Sequence, residues 1–198
     1  MSDTVNLTVQ QGKTFIRVFR WETAPVVYKA ISAITKSAPV SITASAHGLV
    51  SGWRAAVVSV GGMTEINALN AGKKNSDYHK VTVVDVNTIT INDINSSEFT
   101  SYTSGGYLQY NTPVDLTGYS ARMKIRDRVG GTELASFTSP TDILINTTTK
   151  TIQLQIEAAV TAAYTWSTGV YDLEMVDGSG RVFRLAGGKI TLEKEVTT

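Results

Sequence analysis

The chain has 198 residues, 42% hydrophobic and 18% charged, which fits one or two globular domains with real cores and excludes a disordered chain. A formal net charge of +1 gives no global basic field, so binding driven by neutralising nucleic-acid phosphates is not expected. Zero cysteines exclude disulfides, thiolate catalysis and cysteine-ligated zinc, which leaves packing as the source of stability.

Met1-Ser2-Asp3-Thr4 has no basic region leading into an apolar run, and no stretch approaches membrane-spanning length, so no membrane targeting is expected. The Asn-x-Ser/Thr matches at Asn6, Asn95 and Asn146 read as chance in a chain without a secretory signal. Val5, Leu7 and Val9 alternate as a strand before the Gln11-Gly12 turn, and residues 15–21 form a second strand. A regular strand puts Arg17 on one face with Phe15, Phe19 and Trp21; either its stem packs along the rings or a bulge shifts the register.

Pro25 cannot donate to a ladder and marks an exit, after which a new unit begins. Val40-Ser41-Ile42-Thr43-Ala44 alternates, residues 46–52 are turn-rich, and residues 55–60 are an apolar strand. Val81-Thr82-Val83-Val84 and Thr88-Ile89-Thr90-Ile91 flank Asp85-Val86-Asn87 as a hairpin.

Beyond Tyr110, Pro113 and Gly118 punctuate a turn, and the following strand alternates Ala121, Met123 and Ile125 with Arg122, Lys124 and Arg126. That pattern is a half-buried antiparallel strand with a basic outer row. Gly130-Gly131 turns the chain into residues 133–137, and residues 143–145 and 151–156 bracket a second hairpin. Residues 157–164 are alanine-rich and form the one short helix. Tyr171, Leu173 and Met175 alternate inward on the next strand, Asp177-Gly178-Ser179-Gly180 is a turn, and residues 182–185 and 189–193 close the sheet. The class is therefore all-β: a discontinuous, immunoglobulin-like β-sandwich at residues 1–24 plus 111–198, interrupted by a small β-barrel-like module at 25–110. An insertion survives in a loop whose ends lie close together, since doubling loop length costs only about 0.6 kcal/mol.

Two resemblances bear on function. Residues Pro113-Val114-Asp115-Leu116-Thr117-Gly118-Tyr119, the Ala121-Arg122-Met123 run with Ile125-Arg126-Asp127, Ala162-Ala163-Tyr164-Thr165-Trp166 and Gly169-Val170-Tyr171-Asp172-Leu173-Glu174 resemble the N-terminal domain of phage baseplate upper proteins. In that family a strand like residues 7–21 runs through a short turn into the Pro-Val-Asp-Leu-Thr-Gly element, whereas here a whole module intervenes. The module, on Pro39-Val40-Ser41-Ile42-Thr43-Ala44-Ser45-Ala46-His47-Gly48-Leu49, Val60-Gly61-Gly62-Met63, Val81-Thr82-Val83-Val84 and Tyr102-Thr103-Ser104-Gly105-Gly106, is similar to a phage β module labelled after the first catalytic cysteine half-domain of ubiquitin-activating enzyme. The resemblance implies a compact barrel and no ubiquitin chemistry. Gly52-Trp53-Arg54-Ala55 departs from the usual Gly-x-x-Val, and the polar run at residues 71–77 is extra.

Few residues suggest chemistry. His47 and His79, near Glu65, Asp77 or Asp85, are the one conceivable metal set, but His47 sits in a structural turn, and no metal or other cofactor is expected. Asp172 and Glu174 share a strand face at a spacing that suits acid/base work; pairing with Arg122, Lys124 and Arg126 explains them more simply. Trp53, Tyr78, Tyr102, Tyr107 and Tyr110 offer a sugar platform or protein-contact aromatics. The expectation is a non-enzymatic virion component of a tailed phage, a tail- or baseplate-proximal adaptor made in the bacterial cytoplasm. Its partners would be other virion proteins in a symmetric multi-copy assembly. Alternatives are a neck or capsid-decoration protein and a host-glycan-binding module. Candidate contacts are Arg122, Lys124, Arg126, Asp172, Glu174, Trp53, Tyr78, Tyr102 and Tyr107, with the terminal stretches Val5 to Val9 and Ile190 to Val196.

Overall fold

A computed structural model describes residues 3–195. The chain is 51% strand and 6% helical, which makes it all-β. In order, the strands are β1 (Asp3–Thr4), β2 (Leu7–Gln10), β3 (Phe15–Phe19), β4 (Glu22–Ala30), β5 (Ala33–Thr35), β6 (Val40–Thr43), β7 (Arg54–Gly61), β8 (His79–Val83), β9 (Thr88–Ile91) and β10 (Ser104–Pro113). They continue with β11 (Ser120–Arg126), β12 (Glu133–Thr138), β13 (Ile143–Asn146), β14 (Thr151–Ile156), the helix α1 (Ala158–Ala162), β15 (Thr168–Val176) and β16 (Val182–Glu193). Two compact units result: Met1–Trp21 with Asp115–Thr198, and Glu22–Val114.

The first unit is a sandwich. Its larger sheet runs β1-β16-β15-β11-β12, with β2 following β1 along the same edge of β16; its smaller sheet is β13-β14-β3. Alternation sets the faces. Ala121, Met123 and Ile125 of β11 and Tyr171, Leu173 and Met175 of β15 are buried, as are Ile143, Ile152, Leu154, Ile156 and Phe19 of the smaller sheet. Each large side chain fully withdrawn from water contributes roughly 1.5–3 kcal/mol, so this interior layer holds the two sheets together. The single α-helix among the described residues is tied down by Thr161, whose hydroxyl donates to the Lys13 carbonyl at 2.9 Å. The regular-strand arrangement expected for residues 15–21 is replaced by a shorter one. β3 ends at Phe19, the Arg17 guanidinium lies exposed over the Phe19 ring, and Trp21 packs with Tyr119 and Phe183 at 5.4 and 5.3 Å.

The second unit is a curled sheet of order β4-β10-β7-β8-β9-β6-β5. Its two end strands are consecutive in the chain. Ile31 N–H donates to Gly106 and Ser32 N–H to Thr43, so the bend between β4 and β5 continues the ladder on both sides and the sheet curls into a half-barrel. Ile42, Trp53, Val57, Met63, Ile89, Ile91 and Leu108 fill it. Its two chain ends are paired, Glu22 opposite Pro113, which is the geometry that lets a module sit within a host loop.

The junctions differ from residues 24/25 and 110/111. Pro25 does not end a strand; it lies inside β4. The β4–β10 register passes from Val26↔Asn111 to Thr23↔Thr112, skipping Ala24 and Pro25. A residue without an N–H is accommodated at such a bulge, so β4 stays with the barrel.

Candidate protein-contact face

The outer face of the larger sheet gathers the charged candidates of the sandwich. On β11, Arg122, Lys124 and Arg126 alternate with the buried Ala121, Met123 and Ile125, so all three cations emerge on one side. The β11–β15 register puts Arg122 opposite Glu174 and Lys124 opposite Asp172. Arg122 Nε donates to Glu174 Oε2 at 2.7 Å, as cross-strand pairing requires.

Lys124 does not take Asp172. Its Nζ donates to Glu133 Oε2 on β12 at 2.7 Å, while Asp172 accepts from Arg184 Nε on β16 at 2.6 Å. The reason lies in the backbone. A register shift between Leu173 and Glu174 brings Asp172 opposite Gly187, and an added Cβ at Gly187 would collide with both Arg184 and Asp172. Because Gly187 has no side chain, that ion pair lies across β16. The Lys124 hydrogen bond, followed by the attraction of Lys124 and Arg126, holds the Glu133 carboxyl below its usual pKa. Arg126 donates to the Gly131 carbonyl at 2.6 Å and keeps Nη2 3.7 Å from Glu133.

Arg122, Lys124, Arg126, Asp172, Glu174 and Arg184 line an open groove of about 580 Å³, whose wall at one end is the hairpin tip Val129-Gly130. Arg122, Lys124 and Arg126 of β11 stand on one side of it and Arg184 of β16 on the other, with Asp172 and Glu174 of β15 between them; with Glu133, which binds Lys124 from β12, the face carries four cations and three carboxylates, an excess of one positive charge. Lys124 and Arg122 are each 51% exposed. The ion pairs are therefore solvent-facing and worth about 0–1 kcal/mol each, too little to explain the face as a stability device.

The aromatic candidates of the barrel scatter. Trp53 is not a contact residue: it is fully buried, and its indole Nε1 donates to the Asn111 carbonyl at 3.0 Å. It follows the Gly52 turn and points into a core that needed a large side chain. Tyr110 is likewise interior, with its hydroxyl donating to the His47 carbonyl. Tyr102 is partly buried and bound through its hydroxyl to the Ile31 carbonyl at 3.0 Å. Tyr78 is half-buried, donates to the Gly72 carbonyl at 2.9 Å, accepts from Gln109 and lies against Arg54. The polar run at residues 71–77 is thereby knitted onto β10. Only Tyr107, 46% exposed, projects, and it meets Tyr28, 56% exposed, edge-on at 6.2 Å. Tyr28, Arg184 and Glu133 join the candidate contact residues, and sequence reasoning missed them. Tyr28 sits on the strand misread as an exit, and the other two need the register to be recognised.

The terminal stretches are consumed inside the sandwich. Leu7 and Val9 are buried where β2 pairs with Ile190 to Glu193 of β16, because parallel pairing on that edge turns them inward; Val196 lies outside the described residues. His47 is buried, accepting at Nδ1 from Leu49 N–H at 3.0 Å, which assigns its proton to Nε2 and a bond to the Asp85 carbonyl at 2.9 Å. His79 pairs with Asp93 at 2.8 Å. Among the described residues no group of three His, Asp or Glu side chains converges to hold a metal ion.

Compared with known proteins, the chain matches no protein-family model and no curated protein.

Proposed function

We propose that this chain is a structural protein of a tailed-phage virion, a tail- or baseplate-proximal adaptor that acts by docking and catalyses nothing. The sandwich docks on a neighbouring ring or tail protein, and the barrel module is presented to fibres or adjacent subunits. The observation that carries this reading is the grooved, charge-striped outer face of β11, β15 and β16. Interleaved charges of both signs favour orientation and partner choice over raw affinity, the property an assembly contact needs. Symmetric repetition then multiplies a modest contact. The Pro113 to Asp127 resemblance supplies the phage context.

Gold-labelled antibody fragments raised against the chain test it on purified particles. Label at the tail supports the adaptor reading. Label at the head or neck favours a decoration or neck role instead, and particles without label remove the virion reading.

A second reading has its own observation. The exposed Tyr28–Tyr107 pair gives the barrel a small aromatic platform suited to a host glycan. A glycan array probed with the full chain supports it if hits vanish in Tyr107→Ala, and an array without hits eliminates it.

A further inference from the structure

We infer that the basic row of β11, which forms one side of the groove, takes an extended acidic segment of a neighbouring protein, with carboxylates at alternate positions; this rests on the docking role proposed above and names its partner chemistry. Arg122, Lys124 and Arg126 occupy every second position of one strand, so they repeat at about 6.6–6.8 Å. The same-face side chains of any extended peptide repeat at the same distance. A segment with acidic residues at every second position therefore meets all three cations in register, whereas a contiguous acidic run turns half its carboxylates away.

Unspent donors point to the same occupant. Arg122 commits Nε to Glu174, leaving its two terminal nitrogens for a bidentate carboxylate. Lys124 spends one of three ammonium hydrogens on Glu133. Beside these cations on β12, opposite Arg122 and Lys124, stand the exposed hydroxyl residues Thr138 and Ser136, which add neutral donors. The groove, about 580 Å³, falls within the roughly 300–1,000 Å³ of ligand clefts. Val129, 90% exposed at the hairpin tip, offers an apolar contact at the Arg126 end.

A nucleic acid fits less well. Glu174 and Asp172 lie one strand, about 4.8 Å, from the cations. A phosphate backbone presents charge on every side and would meet both carboxylates, while an alternating peptide directs only every second residue downward.

The test is fluorescence anisotropy of the full chain with a labelled seven-residue peptide carrying Asp at every second position and Thr between. A peptide of identical composition with its Asp residues contiguous is the comparison. The alternating peptide is expected to bind roughly fivefold to tenfold tighter, and Lys124→Gln to weaken it about tenfold. Arg128→Gln removes the same charge from the hairpin outside the row and is expected to leave binding unchanged. Melting curves establish that both variants remain folded. Equal affinity for the two peptides, an equal loss in Arg128→Gln, an equally tight single-stranded oligonucleotide, or no binding each overturns the inference. Failure here in a chain still found in particles removes the groove assignment alone, while absence from particles removes the docking role whatever the peptide does.

Discussion

Replacing Trp53 by alanine separates a structural tryptophan from a contact one. Its side chain is fully buried among the barrel core residues, and its indole holds the Asn111 carbonyl at 3.0 Å. Truncating such a side chain costs about 3–5 kcal/mol, because the lost transfer energy is joined by a cavity. The Asn111 carbonyl also loses its donor, which pushes the cost toward the upper end. For a unit the size of residues 22–114, each kcal/mol lowers the melting point by about 4–8 °C, so a fall of at least about 12 °C is expected. Hydrogen exchange read by mass spectrometry locates the loss. Peptides from β4 to β10 should lose protection, while those from β11, β14 and β15 keep theirs. A stability change within about 0.5 kcal/mol, the ordinary value for an exposed substitution, would refute the burial argument. Equal loss in both units would refute their independence.

Replacing residues 23–113 by a short Gly-Ser turn should leave a sandwich that melts cooperatively by calorimetry, since Glu22 and Pro113 are paired neighbours; an unfolded product contradicts this. Burial raises Tyr164 and Tyr171 to about 12, Asp142 adding to the first, so each phenol is held neutral in the fold. Their contribution, about 3 kcal/mol each, is whole below the unfolded value near 10 and is lost as pH rises from about 10 to 12. Urea midpoints should fall across that window, and by less in Tyr171→Phe, which lacks the ionisable hydroxyl bound to the Val5 carbonyl. A double-mutant cycle on Arg122→Ala and Glu174→Ala should give a coupling of about 0.2–1 kcal/mol that shrinks with salt; a larger, salt-insensitive value would mean a contact shielded from water.

Much of the architecture was legible because alternation is a local signal. Ala121 to Arg126 announce a strand with one wet and one dry face, and the Asp85-Val86-Asn87 hairpin and the alanine-rich helix announce themselves equally locally. What failed depended on non-local facts. Pro25 signals an end, yet a bulge formed with β10, far along the chain, lets the strand continue. An isolated tryptophan reads the same whether a barrel closes over it or not, so Trp53 passed for a surface aromatic. Asp172 pairs with Arg184 and not with Lys124 in the space that Gly187 leaves open, and that follows only from knowing which strands are neighbours.

The proposed virion role is tested most directly by quantitative mass spectrometry of density-gradient-purified phage particles released from cells that carry the gene for this chain. The account predicts the chain in every particle at a fixed copy number that is a multiple of three or six, as a ring-associated component requires. A chain abundant in the infected-cell lysate but absent from purified particles would contradict it.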